Sequence, residues 1–307
     1  MNTQIRQLRR FTSSAGMGIA PLLEKGLLLN AHQSSRPQLF ILGLPRSGTT
    51  LIYQYLVHRL QVAYFTNGVG NYPMAPCLTT FLQSKLHGAY ASDFRSRYGK
   101  VTGPVAPREA GGFWGRFFRL DDYVRFDDIA PEHIRELRRT IACVQHNFGD
   151  APFVNKNVKH MLRIDALARI FPNAYFLIVG RDINAVALSV LRGRHENLDH
   201  PEKWWSVKSP NYETLKDLPP AEQVARQLPA LKAKLSADLS GVSAERVLTV
   251  GYETFCDQPE SLVARVREVL KPLDFRNSPE QSFTPSANNP RTPEELRLIE
   301  LLEHADN

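Results

Sequence analysis

Three cysteines in 307 residues, Cys77, Cys143 and Cys256, are too few and too scattered for a disulfide framework or a metal-ligand spacing. They point to a reducing, cytoplasmic setting. No apolar run approaches the ~20 residues needed to span a bilayer. The stretch GIAPLLEKGLLLNA is interrupted by Pro21, Glu24 and Lys25. The start, MNTQIRQLRRF, is basic but lacks the apolar core of a signal peptide. It reads either as a solvated terminal helix or as a short amphipathic helix in weak peripheral contact with a membrane. There is no internal repeat and no low-complexity tract. No basic run is interleaved with aromatics in the manner of a nucleic-acid groove, which argues against nucleic acid as partner. Oligomeric state leaves no signature in the chain.

What is present fits a globular α/β protein. Hydrophobic residues make up 43% and charged residues 22%, enough apolar material to bury a large core within a single domain over residues 1–307. The net charge of +7 favours an anionic partner. Residues 1–35 read as an N-terminal helical extension. Buried strands are predicted at QLFILGL (38–44), APFVNK, AYFLIVG and RVLTVGYE. Helices are predicted after the first strand, over PEHIRELRRTIACVQHNFG, KHMLRIDALARIF, DINAVALSVLRG and QPESLVARVREVL, and at the end over TPEELRLIELLEH. Residues 67–128, rich in Gly and Pro, are expected to hold short helices between loops, and 195–220 a mobile segment; both are candidate acceptor-site or lid segments. Alternating strands and helices imply three layers: a mainly parallel central sheet flanked by helices, with ligands beyond the carboxyl ends of the strands.

The first such end is GLPRSGTT, Gly43 to Thr50. Its glycines allow a tight turn that aims successive N–H groups at one anion, and the following helix adds its positive pole. A nucleotide triphosphatase places a lysine after the second glycine; here Thr49 stands there, and Arg46 is the nearby cation. No convincing magnesium carboxylate follows a strand, since Asp182 has Arg181 beside it. The loop is therefore read as holding an anion without a metal. In GRDINAVALS, Arg181 and Ser189 lie about two helical turns apart, a guanidinium and a hydroxyl suited to a second phosphate.

Together these blocks resemble the PAPS-dependent sulfotransferases, in particular their bacterial-type branch, where PAPS is 3′-phosphoadenosine 5′-phosphosulfate. The family pattern P-[KR]-[ST]-G-T-[TS] matches Pro45, Arg46, Ser47, Gly48, Thr49 and Thr50. Its paired Arg and Ser match Arg181 and Ser189, and its late Tyr-Glu matches GYETFCDQPESLV, with Tyr252 at the position near the adenine. FVNKNVKH is similar to W-x-x-K-x-P-x-H: Lys156 matches the lysine, His160 falls one residue late, and the proline is absent. The resemblance spans about residues 38–270 and implies a P-loop sulfotransferase-like fold. It also implies metal-free transfer of a sulfuryl group from PAPS, leaving PAP, to a hydroxyl of a small-molecule or glycan acceptor.

The resemblance makes Arg46 and Lys156 the cations of the reaction. The base is read as Glu109, because PRE in GPVAPREAGGFWGRFF is similar to the P-x-E of bacterial members, with His160 as the second candidate. Trp204 and Trp205 either stack on adenine, shape an acceptor pocket, or serve as a core anchor with a half-exposed neighbour. Two rival readings stand beside this one: an unusual P-loop kinase or nucleotide hydrolase, and a non-catalytic module binding PAP or another polyanion.

Overall fold

The computed structural model describes residues 14–30, 34–86, 90–96, 99–119, 121–286 and 289–305. The basic opening stretch, and the membrane contact expected of it, lies outside these. Four parallel strands form one sheet: β1 Gln38–Gly43, β2 Phe153–Lys156, β3 Tyr175–Gly180 and β4 Val247–Gly251, in the order β2-β1-β3-β4. Ile41 of β1 sits opposite Lys156 on one side and Leu177 on the other, and Gly180 pairs with Gly251.

All six residues of β1 are buried, as its unbroken apolar run requires. The pleat sends Phe40 and Leu42 into one apolar cluster, with Phe176, Trp114 and Leu137, and sends Leu39 and Ile41 into another, with Val154, Leu177 and Val263. Helices close both faces, giving the expected three layers. Each fully buried Leu, Ile or Phe contributes roughly 1.5–3 kcal/mol, so the sheet is anchored chiefly through β1.

Helices follow the sequence periodicity closely: Thr49–Arg59, Pro131–Asn147, Ile183–Asn197, Pro259–Val269 and Pro293–Ala305. Asp182 caps its helix by accepting from the Ala185 N–H at 2.8 Å. Two differences have physical causes. KHMLRIDALARIF is not one helix. A 3-10 turn, Val158–Leu162, is capped by the Asn157 side chain, and the chain breaks at Arg163 before the helix Ile164–Ile170. The longest helix among the described residues, Pro220–Leu239, carries Pro229 in its interior, and that proline hides it from a reading by breakers. Its apolar positions Val224, Leu228, Leu231 and Leu235 keep the helical step and bury fully.

The helix Ser14–Asn30 is fastened to the body by buried Glu24. Its carboxylate accepts from the Cys77 and Leu78 N–H groups at 3.0 and 2.7 Å, at the start of the helix Pro76–Leu86. Among the described residues no helix is long and apolar enough to cross a membrane.

Candidate active site

Each strand delivers part of the site at its carboxyl end. Pro45 follows β1, Lys156 ends β2, Arg181 follows β3 and Tyr252 follows β4, and all four line one cavity of about 740 Å³. The loop turns tightly because its glycines are required. A Cβ on Gly43 would stand 2.8 Å from the Val179 carbonyl oxygen. Gly48 has φ 89°, and a Cβ there would strike the Tyr252 ring at 2.1 Å. Among the described residues the N–H groups of Gly48, Thr49 and Thr50 donate to no backbone carbonyl, and they begin the helix Thr49–Arg59, as an anion cradle should. Thr50 lines the cavity, while Ser47 is buried beneath the turn with an unpartnered hydroxyl.

Arg46 takes φ 70°, a left-handed conformation that costs a non-glycine residue about 1–2 kcal/mol. Ser189 and Arg181 help hold it there. Its Nε donates to Ser189 Oγ at 3.0 Å, and Arg181 Nη1 donates to its carbonyl at 3.0 Å. The Arg181–Ser189 pair thus brackets Arg46. Arg181 also donates from Nη2 to Ser286 Oγ at 2.8 Å and lies 4.4 Å above the Tyr252 ring. Burial pushes the Tyr252 phenol above its usual pKa.

The opposite wall holds Lys156 and Glu109, whose ammonium and carboxylate are hydrogen-bonded. The Lys156 side chain is 8% exposed and that of Glu109 30%. Both approach Thr50 around Gly99: a Cβ on that glycine would lie 3.3 Å from Glu109 Oε1, 3.7 Å from Thr50 Oγ1 and 3.8 Å from Lys156 Nζ. Glu109 reaches this wall because its segment is stitched to β2 and its continuation. Asn155 Nδ2 donates to the Arg108 carbonyl at 3.3 Å, and Asn157 Nδ2 to the Glu109 carbonyl at 3.2 Å.

His160 is not brought to the cavity. It is 0% exposed, packed edge-on against Phe40 and Trp114 at 5.2 and 4.6 Å between ring centroids. Asn155 Oδ1 receives the Trp114 Nε1–H at 3.1 Å and lies 2.8 Å from His160 Nε2. An acceptor at that position requires His160 to donate from Nε2. Burial holds the imidazole neutral, its pKa far below the usual range. His160 therefore fixes the Asn155 amide that steadies the Arg108 carbonyl; the reach of solvent and substrate ends short of it.

Trp205 lines this cavity, whereas Trp204 lines a neighbouring one. Phe94, Arg95, Gly99 and Ser286 also line it and were missed from sequence. Gly99, at φ 80°, was the one legible signal among them, as an isolated glycine; Ser286 sits in a loop with no pattern. Among the described residues no three metal-ligating side chains come together.

A sequence model described as the Sulfotransferase family matches residues 37–273. The chain belongs to the sulfotransferase family. Among curated relatives, the omega-hydroxy-beta-dihydromenaquinone-9 sulfotransferases Stf3 of Mycobacterium bovis and Mycobacterium tuberculosis are each 25% identical over 257 residues. That alignment covers 78% of this chain but 64% of theirs, so the chain spans just under two thirds of their length. The crystal structure of sulfotransferase STF9 from Mycobacterium avium has a TM-score of 0.52 at 18% identity, covering 94% of this chain and 72% of that one. This last likeness is one of fold, and it places the sheet and loop described above in a sulfotransferase framework.

Proposed function

We propose that the protein moves a sulfuryl group from PAPS, leaving PAP, to a hydroxyl of a small-molecule or glycan acceptor, by in-line displacement without a metal. The observation that carries this reading is the Glu109–Lys156 pair facing Thr50 at the mouth of the anion loop. A module that only bound a polyanion would gain nothing from a carboxylate there, because it repels the ligand.

The residues fit the donor. Its chemistry, when bound, is a sulfuryl group on a phosphate leaving group. The N–H groups of Gly48, Thr49 and Thr50, with Arg46, would hold the 5′ end, Arg181 with Ser189 nearby the 3′-phosphate, and Tyr252 the purine. The buried Ser47 Oγ, and Arg181 Nε, which makes no hydrogen bond among the described residues and faces Glu253 Oε1 at 3.9 Å, are donors such a ligand could satisfy. Among the described residues the one carboxylate lining the cavity, Glu109, is paired with the Lys156 ammonium, and Glu253 stands 3.9 Å from Arg181 outside that lining. The donor set therefore suits an anion held by cations, the arrangement a metal-free transfer needs.

Glu109 takes the proton of the acceptor hydroxyl. The hydroxyl oxygen forms the new O–S bond while the S–O bond to the phosphate breaks, its electron pair leaving on PAP. As Glu109 is neutralised, the Lys156 ammonium loses its counter-charge and is left to hold negative charge at the loop. The acceptor named for the Mycobacterium relatives carries a hydroxyl, which supports a hydroxyl acceptor here. Three buried free cysteines support a cytoplasmic setting, and two apolar clusters packed on the two faces of one sheet support one catalytic domain.

Thermal stabilisation separates this reading from a kinase. PAP without metal is expected to raise the melting temperature more than ATP with magnesium; the reverse order would overturn the sulfotransferase assignment. Labelled PAPS offered with an acceptor panel then tests turnover directly.

A further inference from the structure

A second cavity, about 620 Å³, adjoins the first. Ser206 lines both, in a left-handed conformation of φ 72° that the surrounding fold must hold. On the other side, Val158 lines the first cavity while its neighbour Lys159 donates to Asp121, a wall residue of the second, at 2.6 Å.

The loop that forms this cavity is bolted down through its backbone, where sequence had suggested a mobile segment. Arg194, 1% exposed, donates to the carbonyls of Glu202 and Lys203 and to Gln223 Oε1. Gln223 Nε2 donates to the carbonyls of Lys216 and Leu218 at 2.9 and 2.7 Å, and Gln227 Nε2 to that of Val207 at 2.7 Å. These buried groups consume the carbonyls and leave the side chains to the cavity, so its walls are set before any ligand arrives.

Those walls have a definite chemistry. Trp204 meets Tyr212 at 4.9 Å between centroids and 88° between planes, and Lys208 Nζ stands 4.3 Å over the Tyr212 ring. Lys203, Lys208 and Lys216 share the lining with Asp121, Glu202 and Asp217, three cations and three anions. Lys216 is held by Glu213 at 2.6 Å, Asp121 by Lys159 at 2.6 Å, and Glu202 lies 3.2 Å from His200. A balanced lining gives neither an anion nor a cation an advantage. An aliphatic chain would strip water from these charges and return no hydrogen bonds. A sugar suits it: every hydroxyl both donates and accepts, meeting carboxylate and ammonium alike, and its apolar ring face packs on an aromatic side chain.

We infer that the second cavity seats a neutral, polyhydroxylated acceptor, a mono- or disaccharide, and that one of its hydroxyls reaches Glu109 past Ser206. The direction of that hydroxyl rests on the sulfuryl-transfer reading; the saccharide site rests on the cavity alone. The test is saturation-transfer NMR of glucose, N-acetylglucosamine, lactose and farnesol with the full chain, with and without PAP, followed by labelled PAPS turnover. At least one sugar should receive saturation and farnesol none. Trp204→Ala and Asp217→Asn should each weaken sugar binding, by roughly tenfold for the aromatic. PAP affinity, unchanged in both variants, reports that they fold. Binding of farnesol alone, no sugar binding, or sugar binding indifferent to both substitutions would overturn the inference. Sugar binding at this cavity without PAPS turnover would instead sink the transfer reading and leave the saccharide site standing.

Discussion

The two adjoining cavities are built by opposite means. The first is made from backbone: a loop of consecutive residues, 45–50, whose N–H groups and single glycine, Gly48, form the cradle, with Lys156, Arg181 and Tyr252 added at strand ends. The second is made from a loop whose shape is imposed from beneath by Arg194, Gln223 and Gln227 on two neighbouring helices. A backbone cradle is indifferent to everything but charge and size, as a common donor requires. A loop held by its carbonyls keeps its side chains for recognition, so it can change its ligand without disturbing the cradle.

If that division is right, substitutions should fall cleanly on one side or the other. The largest effect is expected of Glu109→Gln, which should lower kcat by about 10²–10⁴-fold while PAP affinity is retained, read by labelled transfer and calorimetric titration. Activity left intact would remove Glu109 as the base. Arg181→Ala should come next, weakening PAP binding by roughly 10–150-fold, the scale of lost charged hydrogen bonds. Acceptor binding should not follow it. Arg194→Ala probes the other side. Unpaired carbonyls at Glu202 and Lys203 should lower unfolding free energy by about 1–3 kcal/mol and abolish acceptor binding, with PAP affinity preserved. A matching loss of PAP affinity would show that the cavities are one cooperative unit.

The smallest effect on turnover belongs to His160→Asn. Burial keeps this imidazole neutral far below its ordinary pKa of 6.5, whereas the unfolded chain protonates near that value. The unfolded state therefore binds more protons as pH falls through 6.5. The stability this site contributes is complete above that pH and is lost below it. Urea unfolding at pH 7.5 and 5.5 should show a shallower acid dependence in the variant, with kcat at pH 7.5 little altered.

The same contrast explains what could be read from sequence. The cradle was legible because its requirements are local: Gly48 must take φ 89°, and Thr49 must stand where a lysine would signal a triphosphate. β1 and β3 were legible because each carries a nearly unbroken apolar run, residues 39–42 and 176–179, as central strands covered on both faces require. Glu109 needed the resemblance, since nothing in PRE reveals that Asn155 and Asn157 will carry it to Lys156. His160 misled because a histidine near a strand end has the same letters whether it faces water or Trp114. The clamp under the second cavity was invisible. Arg194 and Gln223 are ordinary helix residues in sequence, and only their burial against the carbonyls of the loop that joins their two helices gives them a role.

Arg181 sets the length of the functional unit. The family match stops at residue 273, yet the chain continues inward. Phe283 stacks on Phe255 at 5.7 Å and its N–H donates to the Cys256 carbonyl at 3.1 Å. Ser286 then closes on the same guanidinium that holds the Arg46 carbonyl. One side chain thus knots the start of the anion loop to a stretch of chain that the family pattern leaves out. A truncated version trimmed to the recognisable family region would keep every signature residue and still lose a strand of the knot that shapes them.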